Sequence, residues 1–359
     1  MATYRIASLP GDGIGTEVIP EGRRAADAAM ARVGRSIEWA DYDWSCETYA
    51  RTGRMMPEDG IERMRDHDAI FLGAVGWPGV PDHVSLWGML IPLRRELDLF
   101  ANVRPVRLMP GVPSPLANRE PHEIDFVVVR ENVEGEYSSI GGRIYGGTEH
   151  EAAYQQAVFT RHGVDRIMDY AFAVAAARKA QGKRGKVTSA TKSNGIVHTM
   201  PFWDERFEAA KERHPGTETD QFHIDILTAR FVTNPDWFDV VVGSNLFGDI
   251  LSDLGPAVAG SIGIAPAANL DPTERSPSMF EPVHGSAPDI AGKGVANPIA
   301  AIWTAAMMLE HLGETEAAGL IESAMGAVLA DPAARTRDLG GTASTRACGD
   351  AVVRAIEGA

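Results

Sequence analysis

Asp249 and Asp253 lie four residues apart in NLFGDILSDLG (245–255), a stretch patterned as a helix that follows a strand. Four residues is about one helical turn, so both carboxylates face the same way. Like charges at that spacing cost about 0.2–0.5 kcal/mol in a bare helix. A solvated helix face is the ordinary home of such a pair. A divalent-cation site is the sharper reading, and it requires a third oxygen ligand. Asp225 is the candidate: it interrupts FHIDIL (222–227), which reads as a strand with apolar neighbours on both sides. An aspartate buried in that way needs a partner or a metal. Three carboxylates without histidine or cysteine suit Mg²⁺ or Mn²⁺ rather than zinc.

Arginines provide a second constellation. Arg94 lies in IPLRRELD, Arg104 in ANVRPV, and Arg130 ends the apolar run IDFVVVR. Surface arginines are normally solvated, but an unpaired cation at the end of an apolar strand is costly. Three guanidinium groups could fork onto the carboxylates of a small di- or tricarboxylate. Lys192 in SATKSNG and Tyr137 in EGEYS complete a possible acid/base pair. Either residue alone is more often structural, yet near a metal and other cations its pKa would be pushed down into a useful range. The glycine loop PGDGIGTEV (10–18) carries two of the three glycines of a dinucleotide fingerprint, with Thr16 in the third place. A tight turn between strand and helix is an equally good reading of it.

The elements that must position these residues alternate. YRIASL (4–9), 36–44 and AIFLGAV (69–75) read as strands, with helices over 16–33 and 57–66 between them. This order predicts an open α/β sheet with helices on its faces. A Gly/Pro-rich loop (73–83) precedes a helix near 85–97, then strands over 100–108 and 124–130. Residues 134–160 are polar and glycine-punctuated and read as a two-stranded ribbon. Such a ribbon is marginal alone, so it predicts pairing with a second copy of the chain. Helices over 162–181 and 196–213 flank strand 186–190, and strands 222–227 and 238–243 lead to the Asp-bearing helix. Residues 265–298 read as one long loop, the kind that is usually functional, and three helices end the chain.

The 359 residues favour two domains. A formal net charge of -15 argues against nucleic acid or an anionic membrane as partner. The two cysteines, Cys46 and Cys348, form no metal-ligand spacing and no disulfide framework. The start MATYRIASLPGDG runs straight into a strand without a secretory pattern, and YAFAVAAARKA is too short to span a bilayer. A cytoplasmic enzyme is the expectation.

Five segments together resemble the β-decarboxylating dehydrogenases, the family of isopropylmalate, isocitrate, homoisocitrate and tartrate/D-malate dehydrogenases. They are LRRELDLFANVRPVRL, VVRENVEGEYSS, SATKSNG, NLFGDILSDLG and EPVHGSAPDIAGKGVANPIAAI. The resemblance covers essentially the whole chain. It implies an isopropylmalate dehydrogenase-like α/β fold of two doubly wound, non-Rossmann domains, with a β-arm (about 134–160) clasping a second subunit in a homodimer. Residues 1–98 with 262–359 would form the large cofactor-binding domain, and 99–261 the small substrate, metal and dimerisation domain. NAD would lie against the loop carrying His284, Gly285, Ser286, Ala287, Asp289 and Ile290, with Asn297 beyond it. An acidic Asp289 beside the adenosine ribose favours NAD over NADP. By the same resemblance Arg94, Arg104 and Arg130 bind substrate carboxylates, and Tyr137 and Lys192 are the catalytic pair. Asp225, Asp249 and Asp253 hold Mn²⁺ or Mg²⁺, with K⁺ a further candidate ion. Asp225 and Lys192 are expected from across the dimer.

The branch of the family is read from finer differences. Isopropylmalate enzymes carry RELTGGIYF where this chain has RENVEGEYS, and isocitrate enzymes carry a serine where it has Gly88. GAVGWPGVP, DHVSLWGMLIPLRRELD, YDWSCETY, TSATKSNG and FTRHGVDRI look most like the tartrate and D-malate branch. A bulky Trp87 leaves little room for a third carboxylate, which fits a four-carbon 2-hydroxy dicarboxylate. Isopropylmalate, isocitrate or homoisocitrate are the alternatives. A non-catalytic regulatory subunit is a distant one, because Tyr137, Lys192 and all three aspartates are present. A Mg²⁺-dependent phosphate enzyme is disfavoured by the absence of a G-x-x-x-x-G-K-[ST] loop.

Overall fold

The computed structural model describes residues 3–359. The chain divides into two compact units: Met1–Leu99, Arg104–Ile124 and Gly255–Ala359 form one, and Phe100–Val103 with Asp125–Leu254 the other.

The first unit opens with β1 (Thr3–Gly11), α1 (Gly15–Arg32), β2 (Ser36–Asp41), α2 (Cys46–Thr52), α3 (Gly60–Arg65) and β3 (Ala69–Ala74). β1 pairs in parallel with both β2 and β3. Every residue of AIFLGA in β3 is buried, as expected of a parallel strand covered on both faces. The predicted helix 85–97 is a composite: α4 (Asp82–Ser85), one π-helical turn (Leu86–Leu90) and α5 (Ile91–Glu96). A π turn inside a helix widens the spacing of its side chains, and such turns often mark functional sites. β4 (Ala101–Arg107) follows.

The second unit holds β5 (Asp125–Glu131), β6 (Gly141–Ile144), β7 (Ala152–Gln155), α6 (Arg161–Ala180), β8 (Lys186–Thr191), α7 (Thr199–Arg213), β9 (Glu218–His223), α8 (Ile224–Thr233) and β10 (Val240–Gly243). α9 (Asn245–Val258) begins in it. β5, β10, β8 and β9 pair in that order, all parallel. Phe126, Phe231 and Phe238 cluster beneath them with centroids 4.8–6.0 Å apart, each such pair adding about 0.5–1.5 kcal/mol beyond its buried area. β6 and β7 form a separate antiparallel ribbon, exposed along both strands. The two-stranded excursion is therefore present.

The strand expected at FHIDIL is corrected. β9 ends at His223, and Asp225 lies in the first turn of α8 with its side chain largely exposed. Apolar residues at 224, 226 and 227 fit a helix start as well as a strand, and the short run could not decide between them.

The chain then returns to the first unit with β11 (Pro266–Leu270), β12 (Ser278–Pro282), α10 (Ile299–His311), α11 (Thr315–Ala330) and α12 (Thr345–Glu357). The expected loop 265–298 thus contains two fully buried strands. They pair antiparallel with each other, and β12 pairs in parallel with β3. Proline at 266 and 282 and the polar residues between the strands hid them from a periodicity reading. α10 is apolar nearly all round and packs between α1, α11 and the strands. No helix among the described residues is long and apolar enough to cross a membrane.

Candidate active site

Arg130 stands on β5 with its side chain buried, and its partners come from α9. Its Nε and Nη2 both donate to Asn245 Oδ1, at 3.1 and 2.7 Å, and its Nη1 donates to Asp249 Oδ1. Tyr137, at the root of the ribbon, donates its hydroxyl to Asp249 Oδ2 at 2.7 Å, and its ring lies 5.4 Å from the Arg130 guanidinium carbon. One carboxylate, itself a candidate metal ligand, thus joins a candidate substrate cation and a candidate catalytic phenol. Asp253 lies one turn further along the same helix, exposed.

Two acids missed in the sequence build this corner. Glu136 accepts from Ser244 Oγ (2.7 Å) and the Leu246 amide (3.0 Å), placing a negative charge at the start of α9. Glu134 accepts from the Thr160 amide and hydroxyl at 2.9 and 2.8 Å, closing the base of the ribbon. Gly248 lets α9 approach: a Cβ there would lie 2.5 Å from Arg130 Cβ. Gly248→Ala is therefore expected to cost about 1–3 kcal/mol and to raise the substrate KM by displacing Arg130. A denaturant midpoint and a KM both unchanged would show that the helix adapts freely.

The lowered tyrosine pKa expected from the sequence presumes a metal beside the neighbouring cations; the protein's own groups act in the opposite direction. Burial first, then the hydrogen bond and charge of Asp249, push the Tyr137 phenol up to about 12, outweighing Arg130. The protein's own groups hold this hydroxyl protonated at neutral pH.

Lys192 follows β8, and its Nζ lies 2.9 Å from Asp225 Oδ1. The hydrogen bond from Lys192 holds the Asp225 carboxyl below the usual carboxylate range. Asp225 is neither buried nor in a strand, contrary to the sequence reading. Among the described residues no three acidic, histidine or cysteine side chains gather as a metal-ligand group. Within one chain, then, Lys192 and Asp225 form one pair, while Asp249 joins Arg130 and Tyr137 in another cluster.

Arg94 and Arg104 belong to the first unit, and both are buried. Arg94 Nη2 donates to Glu281 Oε1 at 2.8 Å, and Asn269 Nδ2 donates to the same oxygen at 2.8 Å. Nothing in the sequence pattern singled out Glu281 or Asn269.

The candidate cofactor loop is organised by the first glycine turn. Ile14 N–H donates to Ser286 O at 2.9 Å, and a Cβ on Gly13 (φ +54°) would come within 2.0 Å of that oxygen. Glu17 accepts from the Gly292 and Gly294 amides at 2.6 and 2.9 Å. PGDGIGTEV is thus a close-packing turn that shapes the loop 284–294. Ala287 is held at φ +41°, a left-handed backbone that costs a non-glycine residue energy and recurs at ligand sites. His284 places Nδ1 3.1 Å from Gly285 O, while its Nε2 is buried without a partner among the described residues, and burial lowers its pKa. Asp289 is exposed, and its carbonyl accepts from Lys293 Nζ. Asn297 is fixed by Asp338 and by the Ile299 amide.

Comparison with known proteins places the chain in a family. The family described as isocitrate/isopropylmalate dehydrogenase matches residues 5–352. The chain is 56% identical to an Escherichia coli protein named D-malate dehydrogenase (decarboxylating), over 99% of both chains. It is also 56% identical to tartrate dehydrogenase/decarboxylase of Pseudomonas putida, over 98% of this chain and 97% of that one. A crystal structure of isocitrate dehydrogenase from Methylococcus capsulatus superposes with a TM-score of 0.88 at 35% identity, covering 99% of each chain. The fold and these matches define an oxidoreductase of the dehydrogenase class with the expected doubly wound, two-domain α/β architecture. The chain belongs to the isocitrate/isopropylmalate dehydrogenase family.

Proposed function

We propose that this enzyme oxidises and β-decarboxylates a small 2-hydroxy dicarboxylate, D-malate or tartrate, using NAD and a divalent metal ion. The Asp249 cluster with Arg130 and Tyr137 carries the reading, supported by the names of the two relatives at 56% identity. Arg94, Arg104 and Arg130 bind the carboxylates of the substrate. Lys192 would take the proton of the C2 hydroxyl, and bound NAD⁺ would supply the acceptor for the C2 hydride. The β-carboxylate leaves as CO₂ and the bonding electrons pass into an enolate, whose carbon takes a proton from Tyr137; the proton taken by Lys192 then replaces it, so both groups are restored. For D-malate and NAD⁺ the products are pyruvate, CO₂ and NADH.

The donor set fits a hard cation, because Asp249 and Asp253 lie on one face of α9 and Asp225 adds a third carboxylate. Bound Mn²⁺ or Mg²⁺ there supplies Lewis-acid polarisation of the C2 oxygen. Lys192 and Asp225 pair at 2.9 Å, so they enter a shared site together from a second copy in a homodimer. Exposed Ile226 and Val232 on α8, Ile250 on α9, and Ile140, Ile144, Tyr145 and Tyr154 on the ribbon supply apolar surface for that contact. The Nε2 of His284, without a partner among the described residues, suits a base edge, and the exposed Asp289 suits ribose hydroxyls. Mixing the enzyme with NAD⁺, Mn²⁺ and D-malate tests the reading. NADH formation that stops on chelation is expected; no NADH with either D-malate or tartrate would refute it.

A further inference from the structure

Glu281 has no role in the scheme above, yet it lies against one of its arginines. It projects from β12, is 8% exposed, and accepts on one oxygen from both Arg94 and Asn269. Asn269 stands on the neighbouring strand β11, is fully buried, and bonds also to Met279 O across the β11–β12 pair. A carboxylate fixed to a sheet on one side therefore fixes a guanidinium on the other. Arg94 is 9% exposed, and its Nε is buried without a partner among the described residues. Burial alone would raise the Glu281 pKa, but Arg94, Asn269 and Arg104 together lower it, so the group is ionised at neutral pH.

We infer that Glu281 is the positioning residue for substrate binding, holding Arg94 through Nη2 so that the rest of its guanidinium presents to a substrate carboxylate. Flexible arginine side chains lose much rotamer freedom when they grip a ligand. A guanidinium already held by a buried carboxylate pays less of that cost at binding. The inference rests on Arg94 being a substrate ligand.

Glu281→Gln keeps the shape and an acceptor for Asn269 but removes the charge that grips Arg94. The KM for D-malate is expected to rise by about ten-fold or more, with the KM for NAD⁺ near that of the parent. The upward shift of melting temperature by D-malate with Mn²⁺ should shrink in parallel. Because Glu281 acts through Arg94, Glu281→Gln should add almost nothing to Arg94→Gln in a double-mutant cycle. Additive effects, or an unchanged KM for D-malate, would overturn the inference. An unaffected KM in Arg94→Gln alone would instead refute the assignment of Arg94. Should Glu281→Gln fail to fold, Asn269→Ala removes the second grip on the same oxygen. It is expected to raise the same KM by a smaller factor, and an unchanged KM there overturns the inference equally. The sign of the pKa shift gives a further check. Stability from Glu281 is present above the ordinary carboxylate range and lost as pH falls through its lowered native pKa, so Glu281→Gln should flatten the acid limb of the melting curve.

Discussion

Lys192→Ala is expected to lower kcat by about 10²–10⁴-fold, the contribution of a positioned general base, while NAD⁺ binding stays intact. Lys192 is well placed for a selective loss. Its side chain is 28% exposed and its one described partner is Asp225, itself exposed. Surface pairs of this kind contribute little to stability, so the melting temperature should barely move. Lys192→Arg should not restore turnover, because a guanidinium holds its proton far above neutral pH and cannot act as a base. Turnover preserved in Lys192→Ala would remove this residue from the mechanism.

Asp249→Asn is expected to be nearly as damaging, through three contacts at once. The phenol of Tyr137, pushed up to about 12 by burial first and then by Asp249, should titrate lower once the Asp249 charge is gone. Arg130 loses its carboxylate partner, although Asn245 still accepts from two of its nitrogens. Asp249 is one-third exposed, so the stability cost is discounted to about 1–2 kcal/mol from that of a fully buried pair. The larger effect should fall on the cation: half-saturation by Mn²⁺ is expected to shift upward by about 100-fold, with kcat/KM falling alongside. An Mn²⁺ titration of activity and a calorimetric titration of the protein alone check this. A half-saturation equal to that of the parent would show that Asp249 serves Tyr137 and Arg130 only.

Much of this site was legible as residue types and much less as contacts. Parallel strands covered on both faces announce themselves as apolar runs, and VVVG in β10 was found that way; KVTSAT in β8 carries a mixed pattern, was also read as a strand, and is equally buried. The acids of NLFGDILSDLG were read as one helix face, and α9 is continuous through both. Their partners were out of reach of any local pattern, because Arg130 and Tyr137 lie 119 and 112 residues away from Asp249. The upward push on the Tyr137 phenol by the protein's own groups was hidden for the same reason: Asp249 was visible in the sequence, but its hydrogen bond with Tyr137 was not. Asp225 misled because four apolar neighbours fit either period. Glu281 and Asn269 stayed hidden because β11 and β12 are short strands inside a stretch rich in proline and polar residues. Only their antiparallel pairing brings the Asn269 amide to the same carboxylate oxygen that accepts from the Arg94 guanidinium.

Trp87 gives the substrate preference a physical handle, since the Arg95 guanidinium lies 4.9 Å from its ring and fixes an indole beside the helix that carries Arg94. Steady-state kinetics on D-malate, tartrate, isopropylmalate and isocitrate, measured side by side with NAD⁺ and Mn²⁺, test the account most directly. The expected result is that kcat/KM for D-malate or tartrate exceeds that for both larger acids. A higher kcat/KM for isopropylmalate or isocitrate would contradict it.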